Sequence, residues 1–352
     1  MSSFLRANIR AMAGYAPGEQ PRDDGFIKLN TNENPYPPSP RVFEALRAAL
    51  TGDRLRKYPD PTGTRFREAA GRTLGVDPDS ILIGNGSDDV LTILTRAFVP
   101  EGGLVVAPTP SYVLYRPLAE IQGARFRAVP FAPDWQLPSP WPAPGASLTF
   151  LPNPNSPSGS FIRPAALERF ADELEGPLVL DEAYVDFAEE NGLHLVRRGN
   201  VIVTRSLSKS YALAGVRFGF AVAEPALVRE LVKVKDSYNC DALSLAAATA
   251  AVEDQDYLRQ TRARILATRR RLADELARMG FAACASHANF VWCRPPSHPA
   301  KMVYEELKAR RILVRYMSYE GHGDGLRISV GSDAETDRLL EELADVLKGP
   351  AE

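Results

Sequence analysis

Arg205-Ser-Leu-Ser-Lys-Ser-Tyr-Ala-Leu-Ala-Gly-Val-Arg-Phe-Gly219 is the stretch on which the reading of this chain turns. It follows the apolar residues Val201, Ile202 and Val203, which predict a buried strand with a loop at its carboxyl end. Lys209 stands in that loop among Ser206, Ser208 and Ser210, a setting that a solvated surface lysine does not require. Partial burial beside another cation lowers a lysine's pKa and makes it a nucleophile toward a carbonyl carbon. Arg217 supplies the cation, and its planar fork can grip a phosphate at two points while the serine hydroxyls complete the cup. An imine-forming amine beside an anion cup is what pyridoxal 5'-phosphate (PLP) requires.

Other segments stand in equivalent places after apolar strands. Asp181 ends the run Leu178-Val-Leu180 and opens Asp181-Glu-Ala-Tyr184. A carboxylate at a strand's carboxyl end can hold the pyridine nitrogen of PLP protonated, with Tyr184 reaching the ring hydroxyl from the same turn. Taken alone, Asp181 reads equally well as a helix cap. Gly84-Asn-Gly-Ser-Asp-Asp89 lies between the strand Ile81–Ile83 and a helix, where free N–H groups and the helix dipole favour an anion. It is not a Walker loop, because no Gly-Lys-Ser/Thr follows. Asn153-Pro-Asn-Ser-Pro-Ser-Gly159 follows the strand Leu148–Leu151 and offers amides to the cofactor ring, or is a plain turn. Tyr112, after the strand Leu104–Val106, is either a stacking partner for the ring or a core tyrosine.

The chain of 352 residues, 45% of them hydrophobic, is long enough for a large core split over two domains. Its net charge of -2 gives no sign of nucleic acid or of an anionic membrane. The three cysteines, Cys240, Cys284 and Cys293, are scattered, so neither a disulfide framework nor a zinc site is expected. The four histidines lack metal-ligand spacing, and no metal is assigned. Met1-Ser-Ser-Phe-Leu-Arg6 has no apolar signal core, and no apolar run reaches the length of a membrane span. A soluble, cytoplasmic protein is the expectation.

Strand and helix alternate, which predicts a mostly parallel sheet covered on both faces. Helices are expected near Val42–Leu50, Gly63–Leu74 (capped by Thr62 or Thr64), Asp88–Phe98 and Ala246–Val252. A long basic helix, Tyr257–Met279, is expected to cross to a smaller domain, its arginines forming a solvated face with acidic neighbours. Prolines crowd around Trp135 and Trp141 between Val129 and Gly145, which reads as a surface connection. Phe290–Trp292, Ile312–Val314 and Leu326–Val330 are expected strands of the C-terminal part. The division is an arm over 1–28, a large domain over 29–256 and a small α+β domain over 257–352.

In order and placement these motifs resemble the PLP-dependent aminotransferases of fold type I, and most nearly their histidinol-phosphate aminotransferase branch. Leu29-Asn-Thr-Asn-Glu-Asn-Pro35, Tyr58-Pro-Asp-Pro-Thr-Gly63, Ala214-Gly-Val-Arg217 and Gly325-Leu-Arg-Ile-Ser-Val-Gly331 join those above in carrying the resemblance, which runs from Tyr15 to the last helix. It implies a large domain with a mixed, mostly parallel sheet flanked by helices. It implies Lys209 as the Schiff-base residue, Asp181 on the pyridine nitrogen, Tyr184 on the ring hydroxyl and Tyr112 on the ring face. Gly86, Ser87 and Asp88, with Ser206, Ser208 and Arg217, would hold the phosphate. Tyr58 would reach the phosphate in a neighbouring subunit, so a homodimer with shared sites is implied. Tyr15, Asn34, Arg315 and Arg327 would meet the substrates, with Arg327 on the carboxylate of glutamate.

The family usually carries Asn directly before Pro-Thr-Gly. Here Ser156 holds that place and Ser158 replaces the Thr, so the ring-hydroxyl contact is assigned to Asn155. The implied reaction moves an amino group from L-histidinol phosphate to 2-oxoglutarate, giving imidazole acetol phosphate and glutamate in histidine biosynthesis. Aromatic amino-acid aminotransferases and threonine-phosphate decarboxylases share the pattern. A non-catalytic PLP-binding regulator is the reading of a different class, although such proteins usually append a helix-turn-helix for which the arm leaves no room.

Overall fold

Uninterrupted apolar runs need cover on both faces, and a central sheet between helices gives it. The computed structural model describes residues 4–14, 18–21 and 25–349. After the short β1 (Ile27–Lys28) come β2 (Ile81–Gly84), β3 (Leu104–Thr109), β4 (Arg125–Pro130), β5 (Leu148–Pro152), β6 (Leu178–Asp181), β7 (Val201–Ser206) and β8 (Gly219–Val222). These seven form one sheet in the order β2-β8-β7-β6-β5-β3-β4. β8 alone runs antiparallel, to β2 and β7 on its two sides. Side chains alternate between the faces. Leu178, Leu180, Val201 and Val203 enter one core cluster, and Val179 and Ile202 enter the other.

Two strands of this sheet escape a reading of apolar runs. β8, Gly-Phe-Ala-Val, is only four residues long and begins at Gly219, the last residue of the lysine and arginine segment. β4 is an edge strand with an alternately exposed face, so it lacks a continuous apolar signature. The stretch after it, expected to run over the surface, is in fact packed. Trp135 is buried with Phe131 and Trp292, its ring 4.1 Å from that of His322. Trp141 is buried in the main core, edge-on to Phe170 at 4.9 Å.

The helix Thr64–Leu74 is capped by neither threonine. Gly63 holds the cap at φ +63°, where a Cβ would stand 2.8 Å from Cδ1 of Ile83. The backbone N–H groups of Thr62 and Thr64 instead donate to the Asp60 carboxylate.

The helix Gln255–Arg278 leads to β9 (Ala282–Ala283), β10 (Phe290–Arg294), β11 (Ile312–Leu313), β12 (Arg315–Tyr319) and β13 (Gly323–Ser329). The order β12-β13-β10-β9 makes an antiparallel sheet, while β1 pairs in parallel with β11. Ile27 and Leu29 pack in the cluster below this second sheet. The arginines of the long helix do not form one solvated face. Arg262 donates to the carbonyls of Asp186 and Ala188, and Arg269 to that of Ala288, so they tie the helix to its surroundings. Burial, with Arg262 and Arg270 close by, lowers the Arg269 guanidinium to about 10. Among the described residues no helix is long and apolar enough to cross a membrane.

Candidate active site

Strands β5, β6 and β7 deliver their next residues to one edge, the site that parallel topology reserves for ligands. There lies a cavity of about 250 Å³. It brings together Ser87, Asp88, Tyr112, Asp181, Tyr184, Ser206, Ser208, Lys209 and Arg217 from the first sheet and its helices, with Arg315 and Arg327 from the second. Asn32 and Ser156 also line it.

Lys209 follows β7 by three residues, and its Nζ donates to the carbonyl of Thr31 at 3.1 Å, 5.8 Å from the centre of the Tyr184 ring. Asp181 ends β6 and is only 5% exposed. The Tyr115 hydroxyl donates to its Oδ2 at 2.8 Å, and the Thr204 hydroxyl and Ala183 N–H donate to its Oδ1, each at 3.2 Å. Burial pushes the carboxyl up to about 6 from 3.8, although these hydrogen bonds pull it down. Burial and the Asp181 charge raise the Tyr115 hydroxyl in turn.

The anion cup is built by close approach. Gly86, at φ +87°, is the N-cap of the helix Ser87–Phe98, and no side chain caps that end. Its first N–H groups therefore face whatever occupies the cup. A Cβ on Gly86 would come within 2.6 Å of Nη2 of Arg217, and one on Gly219 within 2.5 Å of the Ser87 nitrogen. Glycine at both positions lets the arginine and β8 press against the helix start. Nη2 of Arg217 lies 3.6 Å from Oδ2 of Asp88, whose Oδ1 accepts from the Tyr112 hydroxyl at 2.9 Å. A buried carboxylate, an amine and a glycine-bounded anion cup in one cavity fit the nitrogen, aldehyde and phosphate of PLP.

Several expected residues are placed elsewhere. Asn155 is buried behind the cavity, its amide nitrogen spent on the carbonyl of Pro110 at 3.2 Å and on Oγ of Ser158 at 2.9 Å. The residue expected at the ring hydroxyl, Asn155, therefore does not line the cavity, and its neighbour Ser156 does. Asn34 likewise does not line the cavity. It donates to the carbonyls of Lys209 and Ser210, at 3.0 Å each, and so braces the lysine turn from behind. Gly86 acts through its backbone, beneath the lining residues. Tyr58 is remote, 81% exposed and stacked on Tyr238 at 4.5 Å beside a separate groove. Tyr15 lies outside the described residues.

Tyr115, Thr204 and Asn32 were not foreseen as site residues. Thr204 is register partner to Asp181 across β6 and β7, which only the pairing reveals. Tyr115 follows Tyr112 by three residues, a spacing that points both rings into one region. β12 and β13 add a further pairing that spacing in the chain cannot show, with Arg315 directly opposite Arg327. Two like charges so placed oppose each other unless an anion lies between them.

The raised Asp181 carboxyl makes stability depend on pH without cofactor. A carboxyl with a folded-state value above its unfolded one stabilises the fold when protonated. That contribution is complete below 3.8 and is lost as pH rises through about 6. The loss is roughly 3 kcal/mol. Asp181→Asn is therefore expected to raise the Tm of the cofactor-free protein at about pH 8 and to gain much less at about pH 4. Thermal unfolding followed by circular dichroism checks this, and an equal gain at both values would contradict it.

Comparison with known proteins agrees with this chemistry. The family model for aminotransferase class I and II matches residues 24–343. The histidinol-phosphate aminotransferase of Rhodopirellula baltica is 52% identical over 339 residues, 95% of this chain and 93% of that one. Histidinol-phosphate aminotransferase 1 of Trichormus variabilis is 47% identical over 99% of this chain and all of its own length. The crystal structure of the Sinorhizobium meliloti histidinol-phosphate aminotransferase, solved with pyridoxal 5'-phosphate, superposes with a TM-score of 0.88. It is 29% identical and covers 99% of this chain and 98% of that one.

Proposed function

We propose, starting from the fact that this chain belongs to the class I and II aminotransferases, that it transfers the amino group of L-histidinol phosphate to 2-oxoglutarate with PLP as cofactor. The observation that carries the substrate reading is Arg315 opposite Arg327 on the wall facing Lys209 and Asp181. One substrate carries a phosphate and the other two carboxylates. A pair of guanidinium groups can bind either by forked hydrogen bonds.

PLP, when bound, supplies an aldehyde carbon that condenses with amines and a ring that takes up the electron pair left at the substrate carbon. Ser87 and Asp88 N–H groups, the Ser206 and Ser208 hydroxyls and Arg217 would hold its phosphate. Asp181 would keep the proton on its pyridine nitrogen, and Tyr184 would donate to its ring oxygen. Lys209 would serve as the acid–base group that takes the proton from the substrate's amino-bearing carbon and holds it for return on the far side of the amino nitrogen. Arg327, braced by Ser156 at 3.0 Å and by the Asn30 carbonyl at 2.9 Å, is set to hold a carboxylate without reorganising. Arg315 takes the substrate phosphate. Arg315, Met317 and Arg327 of the second sheet line the cavity.

The working unit in this reading is a homodimer, and a cytoplasmic one. Exposed Tyr58 and Tyr238, and a groove beside the helix Ala242–Glu253 walled by Leu245, Ala246 and Ala250, offer an apolar face for a second copy. Free Cys240, Cys284 and Cys293 suit a reducing compartment. Turnover of L-histidinol phosphate, L-phenylalanine and L-threonine phosphate with the PLP-loaded protein tests the assignment. The first is expected to exceed the second by about 100-fold in kcat/KM, the worth of one well-placed charged contact. No turnover of the first would overturn it.

A further inference from the structure

We infer that Asn32, held by Ser329, is a positioning residue that fixes which way the Tyr184 hydroxyl points its hydrogen. The inference rests on the aminotransferase reading above, and it gives that site a component contributed by the second sheet. Asn32 is a buried residue at φ +57°, a left-handed conformation that asparagine tolerates better than most residues. Its Nδ2 donates to the Tyr184 hydroxyl oxygen at 2.9 Å.

The amide cannot turn over without loss. The backbone N–H of Asn32 donates to Oγ of Ser329 at 2.9 Å, and the Ser329 hydroxyl donates on to Oδ1 of Asn32 at 3.0 Å. Asn289 adds a bond to the Asn32 carbonyl at 2.9 Å. With Oδ1 claimed by Ser329, only the NH2 group faces the tyrosine. A phenol oxygen that accepts from Asn32 must direct its own hydrogen elsewhere, and the cavity is the open side. Phe290 stands edge-on to the Tyr184 ring at 5.1 Å and fixes its plane. Ser329 is in β13, which pairs with β10 at Phe290, so one strand pair sets both the ring and its hydrogen.

The consequence falls on the cofactor's ring oxygen. A donor held on that oxygen favours its anionic, unshared form. Loss of the donor makes the oxygen more basic and raises the pH at which the bound cofactor's absorbance titrates. Charged groups that line the cavity with Tyr184 include Lys209, 5.8 Å from its ring centre, Asp181, and Arg327, the last 5.5 Å over the Phe290 ring. Asn32 and Ser329 are neutral, so replacing them by neutral residues alters no charge.

The test is a spectroscopic pH titration of the PLP-loaded protein, with Tyr184→Phe as the reference for a lost donor. Asn32→Gly keeps the left-handed backbone without strain and removes only the amide. Its midpoint is expected to rise by about one pH unit, toward that of Tyr184→Phe. The double variant should rise no further than Tyr184→Phe alone. Ser329→Ala should shift the midpoint the same way by less, and Ser329→Thr should restore it. These remain readable should Asn32→Gly fail to fold. A wild-type midpoint in Asn32→Gly, or in Ser329→Ala if only that variant folds, while Tyr184→Phe is shifted, overturns the inference alone. If the wild-type protein binds no titrating cofactor, the aminotransferase reading falls and takes this inference with it.

Discussion

Lys209→Ala is expected to slow amino-group transfer on the order of 10⁴-fold or more, the worth of a positioned acid–base and nucleophilic group together. No other amine is placed to substitute, for Lys209 is the one lysine that lines the cavity among the described residues. Its turn is braced by Asn34 and its Nζ is held toward the cavity by the Thr31 carbonyl. The anion cup does not depend on it, since Ser206, Ser208, Arg217 and the helix start remain. The variant should therefore still take up PLP, without a covalent bond. Borohydride reduction followed by peptide mass mapping separates these states: the peptide carrying Lys209 gains the reduced cofactor in the wild type, and no peptide does in the variant. A rate within tenfold of wild type would remove Lys209 from the mechanism.

Asp181→Asn is expected to lower kcat by about 10²–10⁴-fold. The size matches the 3–5 kcal/mol lost when one partner of a buried ion pair is removed, at 1.36 kcal/mol per factor of ten. The amide keeps the shape, its one oxygen can still accept from Thr204 and the Ala183 N–H, and the Tyr115 hydroxyl must turn to accept from the NH2 group, so the main loss is the negative charge. Without it the proton on the pyridine nitrogen loses its buried carboxylate partner, and the ring draws electrons less strongly from the substrate carbon. Single-turnover kinetics should place the loss in the proton-transfer step, with a smaller change in substrate affinity. A loss confined to KM would show that Asp181 only orients the ring. The same variant should stabilise the cofactor-free protein near neutral pH, because burial opposes ionisation of this carboxyl. Lower activity with higher stability is the mark of a group kept strained for its function.

Much of the site is legible from the chain because several functional side chains sit at the end of an apolar strand or within three residues after it. Asp181, Ser206, Ser208 and Lys209 are found in this way, and strand pairing brings them to one edge. Residues that follow no strand are harder to place. Asn155 and Ser156 differ by a single position, and only the path of the loop decides which side chain faces the cavity. Tyr58 has a readable motif, yet it lines a separate groove and not this cavity, a placement that spacing in the chain does not reveal. β4 and the packed tryptophans after it were obscured by proline and by exposure of one face.

Sequence by itself determined the alternation of strand and helix, the amine, the carboxylate and the anion cup, because period and position along a strand are local properties. Tertiary structure decided the rest: Arg315 set against Arg327, Thr204 and Tyr115 on Asp181, and the bond from Ser329 through Asn32 to Tyr184. Those contacts join residues far apart in the chain, and their energies depend on register and burial, which exist only once the sheets have formed.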